Sequence, residues 1–119
     1  MILDLRKVIT SNKEIEGVID SYGQFIVKKP LPSDRVTFHT HPPSVGYCRP
    51  SLVDLVRVCW EGYKHHYIFC GSDWVWEFHV PPHVFIAPIT LRKIKQKRDC
   101  VSLLRKKGVL IRRARLPPI

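Results

Sequence analysis

Residues 36–57 read "VTFHTHPPSVGYCRPSLVDLVR", and the fold follows from how this stretch divides. Its first six residues alternate β-branched, aromatic and imidazole side chains, the pattern of a strand. Successive strand side chains point to opposite faces, so Val36, Phe38 and Thr40 share one face and Thr37, His39 and His41 the other. Pro42 and Pro43 end the strand, because proline donates no ladder hydrogen bond. A loop over Ser44 to Ser51 then leads into a helix beginning "SLVDLVRVCWEGY", with Ser51 as its N-cap and Gly62 as its stop.

Upstream, Leu3, Leu5, Val8 and Ile9 are spaced as in a short N-terminal helix, and "EGVIDSYGQFIVKK" reads as two short strands around a turn at Tyr22 and Gly23. Pro30 and Pro32 close that hairpin. Downstream, "HHYIFC" and "DWVWEFHV" are β-branched and aromatic runs separated by "GSD", a second hairpin that Pro81 and Pro82 terminate. A final helix is predicted from Leu91 to Lys107, with Thr90 as N-cap, Gly108 just past the end, and an apolar stripe of Leu91, Ile94, Val101 and Leu104 interrupted by Arg98.

At 119 residues the chain has the size of one ordinary domain with its own core. "MILDLRKVIT" mixes charge with apolar residues and lacks a signal-peptide apolar region, and no later run approaches membrane-spanning length. The expectation is a soluble intracellular protein, cytoplasmic, with the nucleus left open by its basic segment. Cys48, Cys59, Cys70 and Cys100 form no C-x-x-C pair, so reduced, partly buried thiols are expected. The net charge of +10 is uneven: residues 1–91 hold nine Lys/Arg and nine Asp/Glu, whereas residues 92–115 hold eleven Lys/Arg against Asp99 alone. The chain therefore reads as a charge-balanced body over 1–90 and a basic extension over 91–119, packed on or appended to it.

His39 and His41 have the types and spacing of metal ligands. Alternate strand residues stand about 7 Å apart at Cα and face the same way, so two ring nitrogens can converge on one ion. A zinc centre that keeps a position for water needs a third protein ligand. Asp54 can supply it from the first turn of the following helix, on the same side as Ser51. Each half also has a plain structural explanation. Six histidines give about 0.3 His-x-His pairs by chance in a chain of this length, and Ser-x-x-Asp resembles a helix capping box. Other zinc chemistries fit less well: the chain has neither the His-x-Glu and Pro-Cys-x-x-Cys of a deaminase nor the His-Glu-x-x-His of a zincin. His65 and His66 are adjacent and point to opposite faces of a strand, so both cannot join one site; surface or satisfied core roles are expected. His79 and His83 have no partner pattern. Trp74 and Trp76 share a strand face and read as core, or, if exposed, as a substrate platform.

The order "EIEG", "HTHP", "SLVD" resembles the JAMM/MPN+ zinc metalloprotease family, in a compact variant. The likeness covers residues 3 to 80, including the hairpin "YIFCGSDWVWEF", and leaves the basic segment uncovered. It implies an α/β MPN fold, cytidine-deaminase-like, with a curved β-sheet flanked by helices. It also implies one Zn2+ held by His39, His41 and Asp54. Glu14, three residues before Gly17, would be the general base, and Ser51 would help hold the oxyanion. Glu16 rivals Glu14, because alternate strand residues share a face and the pairing register decides which is presented. The implied reaction is hydrolysis of an isopeptide or peptide bond, removing ubiquitin, a ubiquitin-like modifier or another protein or peptide. Nine residues separate His41 from Ser51 where the family has seven, and only 24 separate Glu14 from His39, room for a hairpin but not for the helix the family commonly places there.

The basic segment supports two readings. One is a solvated helix face and charged last strand, packed through Leu103, Leu104, Val109 and Ile111. The other is a surface for nucleic acid or an acidic protein, formed by Arg92, Lys93, Lys97, Arg98, Arg105, Lys106, Lys107, Arg112, Arg113 and Arg115, with binding that weakens steeply in salt. The second would suit a non-catalytic binding module on the same scaffold, the alternative to the enzyme.

Overall fold

The computed structural model describes residues 1–41, 52–62, 64–71, 73–95 and 99–116, with backbone alone at 52, 53 and 95. In chain order the elements are β1 (Ile2–Leu3), α1 (Leu5–Ile9), β2 (Glu16–Ile19), β3 (Phe25–Val27), β4 (Val36–His41), α2 (Leu52–Trp60), β5 (Lys64–Cys70), β6 (Trp74–Val80), α3 (Pro88–Lys95), α4 (Cys100–Lys106) and β7 (Leu110–Arg115). The strands form one mixed sheet in the order β1-β3-β2-β4-β5-β6-β7. The protein is thus mixed α/β, a seven-stranded mixed sheet with four helices among the described residues.

One parallel pair organises this sheet. β4 and β5 run parallel, from Val36 opposite His65 to His41 opposite Cys70, and every other neighbouring pair is antiparallel. Parallel neighbours require a crossover, which α2 provides. The crossover returns the first turn of α2 to the carboxyl end of β4, where His39 and His41 lie. Gly62 lets the chain leave α2 and enter β5, with φ of 83°.

The strand alternation sorts residues between two layers. On one face α2, α3 and α4 pack Leu55, Val58, Leu91, Ile94, Cys100 and Leu104 against Ile68, Phe78, Val80 and Ile111 of the sheet. On the other, α1 places Val8 and Ile9 over Phe38 and Phe69. There Phe25, Phe38 and Phe69 meet edge to face, with centroids 5.1, 5.7 and 6.4 Å apart. Asp4 caps α1, its Oδ1 accepting the Lys7 N–H at 2.9 Å.

Three expectations are corrected. The single helix over 91–107 is two helices, with residues 96–98 outside the described part. Cys100 follows Leu91 by nine positions, about 180° around one continuous helix, yet Leu91 is 0% and Cys100 1% exposed. Only separate helices turn both toward the sheet. The first of them begins earlier than expected, at Pro88, where a missing N–H costs nothing. At the N-terminus, Leu3 belongs to β1, paired with β3, and only Leu5 to Ile9 are helical. The thiols are not all reduced: Cys70 is disulfide-bonded, its partner lying outside the described residues, while Cys59 and Cys100 are free and buried.

The basic extension is woven into this architecture. β7 pairs with β6 from His79 opposite Leu110 to Trp74 opposite Arg115, and Leu104, Val109 and Ile111 are buried in the same cluster as α2 and β5, with Leu103 packed against it.

Candidate metal centre

The β4 alternation directs Thr37, His39 and His41 toward the α2 side of the sheet. His39 Nε2 and His41 Nε2 lie 3.1 Å apart, and Asp54 Oδ2 is 3.4 Å from the first and 3.7 Å from the second. All three side chains are partly buried, and together they could hold a metal ion. Asp54 stands beside both rings although the loop leading to it, 42–50, lies outside the described residues, as does Ser51. Burial, followed by the neighbouring His39 ring, holds the His41 imidazole below its ordinary pKa, against the opposing pull of Asp54 and Glu14. A ring kept neutral in this way has a lone pair to offer.

Of the two candidate bases, Glu16 opens the adjoining strand β2 and Glu14 lies two residues before it. Glu16 is directly opposite His39 in the antiparallel β2–β4 ladder. Extending that register by two residues sets Glu14 opposite His41, and the same Glu14 charge is felt at the His41 ring. Thr40 fixes this approach. Its Oγ1 accepts the Ile15 N–H at 2.9 Å and donates to the Lys13 carbonyl at 3.4 Å, while its own N–H donates to the Ile15 carbonyl at 2.9 Å. Gly17 lets the strands close up, since a Cβ there would fall 1.9 Å from the Ile26 carbonyl oxygen and 2.9 Å from the Phe38 ring.

One residue near the site was not anticipated. His66 on β5 lies opposite Thr37 in the parallel ladder. Its Nε2 is 2.8 Å from His39 Nδ1, and its Nδ1 is 2.6 Å from Thr37 Oγ1. Burial above all, and then the His39 ring, push its pKa down to about 3. His65 faces the opposite layer and stacks on His79 with centroids 3.9 Å apart. The signal available in sequence was the two-residue alternation of "KHHYIFC", which puts His66 on the same face as Ile68. The β4–β5 pairing that brings it to His39 is a long-range choice with no local trace.

A cavity of about 380 Å³ opens beside these groups, lined by Glu14, Glu16, His39, Asp54, Lys64 and His66 among others. Lys64 is buried, 1% exposed, and its ammonium is paired with Glu61, which also faces Arg57 at 3.7 Å. Carboxylates, imidazoles and a cation pair sharing the Glu61 carboxylate thus line the same cavity.

The basic residues are distributed over surface and scaffold. Arg92 and Lys93 on α3, and Lys106 and Lys107 at the end of α4, are exposed; Lys97 and Arg98 lie outside the described residues. Arg105 donates from Nε and Nη2 to the Ile111 carbonyl at 3.1 and 2.6 Å, tying α4 to β7. Arg112 pairs with Glu77 at 2.8 Å. The Arg113 and Arg115 guanidiniums lie 4.3 and 5.7 Å from the centre of the Trp74 ring. Trp74 and Trp76 are partly buried against the core, as their shared face predicted. No helix is long and apolar enough to cross a membrane among the described residues.

No family model matches this chain, and comparison with curated proteins and with solved structures returned no match.

Proposed function

We propose that the chain is a compact zinc-dependent amidohydrolase of JAMM/MPN+ type on an MPN-like scaffold, cleaving a peptide bond or the isopeptide bond to ubiquitin or a ubiquitin-like modifier. The observation that carries this reading is the His39, His41 and Asp54 triangle, with edges of 3.1, 3.4 and 3.7 Å. Three donors bound tetrahedrally to zinc at about 2.0–2.1 Å would stand about 3.3 Å apart. Two imidazoles and one carboxylate are also a donor set that zinc accepts in hydrolytic centres.

A zinc ion in this triangle would supply Lewis acidity toward the scissile carbonyl and lower the pKa of a water beside it. The chain's own residues do the rest. Glu14, opposite His41 and lining the cavity, takes the proton of the attacking water and returns it to the leaving amine nitrogen. Ser51 fits an oxyanion donor by its place in the motif. Val58 and Pro30 along the cavity wall limit water around the reacting carbonyl.

The test is metal content and cleavage measured together. Purified protein should carry one zinc per chain, and Asp54→Asn should lose it. Cleavage of a panel of ubiquitin-like conjugates and peptides should fall about 10²–10⁴-fold in Glu14→Gln with zinc retained, while Glu16→Gln remains active. Absence of stoichiometric zinc from the unmodified protein overturns the proposal. Zinc without cleavage of any amide would leave a metal site and no hydrolase.

A further inference from the structure

We propose that His66, backed by Thr37, is a positioning residue for the metal centre: it selects the tautomer of His39 that leaves Nε2 free for a cation and holds that ring in place. The inference rests on the reading of His39, His41 and Asp54 as a metal site. It does not depend on the site being hydrolytic.

The geometry restricts where protons can be. A neutral imidazole carries one N–H, and both nitrogens of His39 have neighbours: Nε2 faces His41 and Asp54, and Nδ1 faces His66 Nε2 at 2.8 Å. His66 Nδ1 in turn faces Thr37 Oγ1 at 2.6 Å. Two hydrogen-bonding patterns satisfy this chain. In one, His39 Nδ1–H donates to His66 Nε2 and His66 Nδ1–H donates to Thr37 Oγ1, which leaves His39 Nε2 bare. In the other every donor is reversed: the Thr37 hydroxyl donates to His66, His66 Nε2–H donates to His39 Nδ1, and the His39 proton sits on Nε2, pointed at Asp54. Each ring holds one proton in both patterns, so the two differ in direction and not in charge. Only the first can accept a metal at Nε2.

His66 is suited to this role by its packing. It is 9% exposed, lies with its ring nearly parallel to Phe78 at 6.3 Å and 11°, and meets His39 with centroids 4.9 Å apart at 34°. A ring so confined cannot rotate away, and the His39 plane is fixed through it. Partners that orient a ligating imidazole in this manner are worth about 10–100-fold in metal affinity when removed.

The experiment measures zinc and cobalt affinity by competition with a chromogenic chelator, in the full chain and in His66→Phe, His66→Gln and Thr37→Val. His66→Phe keeps a flat ring but accepts no hydrogen bond, and is expected to weaken binding about 10–100-fold with the unfolding midpoint and near-ultraviolet dichroism retained. The glutamine amide can accept from His39 and donate to Thr37, so His66→Gln should recover most of that loss. Should His66→Phe fail to fold, the ordering of wild type, His66→Gln and Thr37→Val decides, with Thr37→Val expected to bind more weakly than wild type. Imidazole ¹⁵N shifts of the zinc-loaded protein should show both His39 and His66 protonated at Nδ1. His66→Phe or Thr37→Val binding metal as tightly as wild type, His66→Gln no better than His66→Phe, or His66 protonated at Nε2 in the loaded protein would each overturn the proposal. A wild-type protein that binds neither metal fails at the earlier step, the metal site itself.

Discussion

At the scale of single residues, the constraints that matter most are steric and electrostatic. Gly17 has no room for a methyl group, because its Cβ would stand 1.9 Å from the Ile26 oxygen. Gly17→Ala should therefore destabilise the fold on the order of 3 kcal/mol through forced strand separation, measurable by urea denaturation, and should lower cleavage by moving Glu14 away from the histidines on β4. Lys64 is 1% exposed and has Glu61 as its ion-pair partner. Glu61→Ala should cost about 3–5 kcal/mol, since it leaves a buried ammonium unpaired, whereas replacing both residues by apolar ones should cost much less; the same denaturation experiment compares the two. Cys59 gives the pH dependence. Burial pushes its thiol from 9.0 up to about 12, so the folded chain holds that proton longer than the unfolded one. The contribution is fully present below about pH 9 and is lost as pH rises toward 12. At pH 8 the native thiol should react with iodoacetamide about 10³-fold more slowly than in urea, following its thiolate fraction.

At the scale of elements, the site exists because a strand and a helix meet end to end. β4 aligns His39 and His41 by its alternation, α2 begins with Asp54 in its first turn, and the β4–β5 parallel pairing fixes where the crossover returns. The same pairing sets His66 beside Thr37. Helix α4 shows how a charged segment can still belong to the core. Leu104 is fully buried among Val109, Ile111 and the α3 residues Leu91 and Ile94, while Arg105, Lys106 and Lys107 stay outside. Leu104→Ala should cost about 2–5 kcal/mol, read as a lowered unfolding midpoint, whereas Lys106→Ala on the opposite face should change it little.

At the scale of the whole molecule, the body and the basic extension share one sheet and one core. Val109, Ile111, Leu91, Ile94, Cys100 and Leu104 all come from beyond residue 87 and share one buried cluster with Ile68, Cys70, Phe78 and Val80 of β5 and β6. A chain ending at residue 87 would leave that sheet face open, and β6 would become an edge strand with exposed Trp74, Trp76 and Phe78. Such a truncation should give an aggregating chain without a cooperative thermal transition, checked by calorimetry. The excess positive charge resides in this same segment, so its apolar half builds the fold and its cationic half is displayed around it.

Local chemistry made much of the protein legible from its sequence. The hairpin turn at Tyr22 and Gly23, the strand over 36–41, the helix ended by Gly62 and the second hairpin all follow from side-chain alternation and turn residues, which act within a few positions. Proximity of His39 to His41 is likewise local, a matter of two residues on one strand. The sequence pattern also singled out Asp54, but its arrival beside both rings depends on a crossover. Tertiary structure alone decided that Glu16 and Glu14 lie against the histidine strand, that His66 completes a hydrogen-bond chain to His39, and that helix 91–107 breaks so that both Leu91 and Cys100 can be buried. Each of these depends on which strand pairs with which and in what register. Pairing is set by burial of whole faces across the molecule, a quantity that no short window of sequence contains.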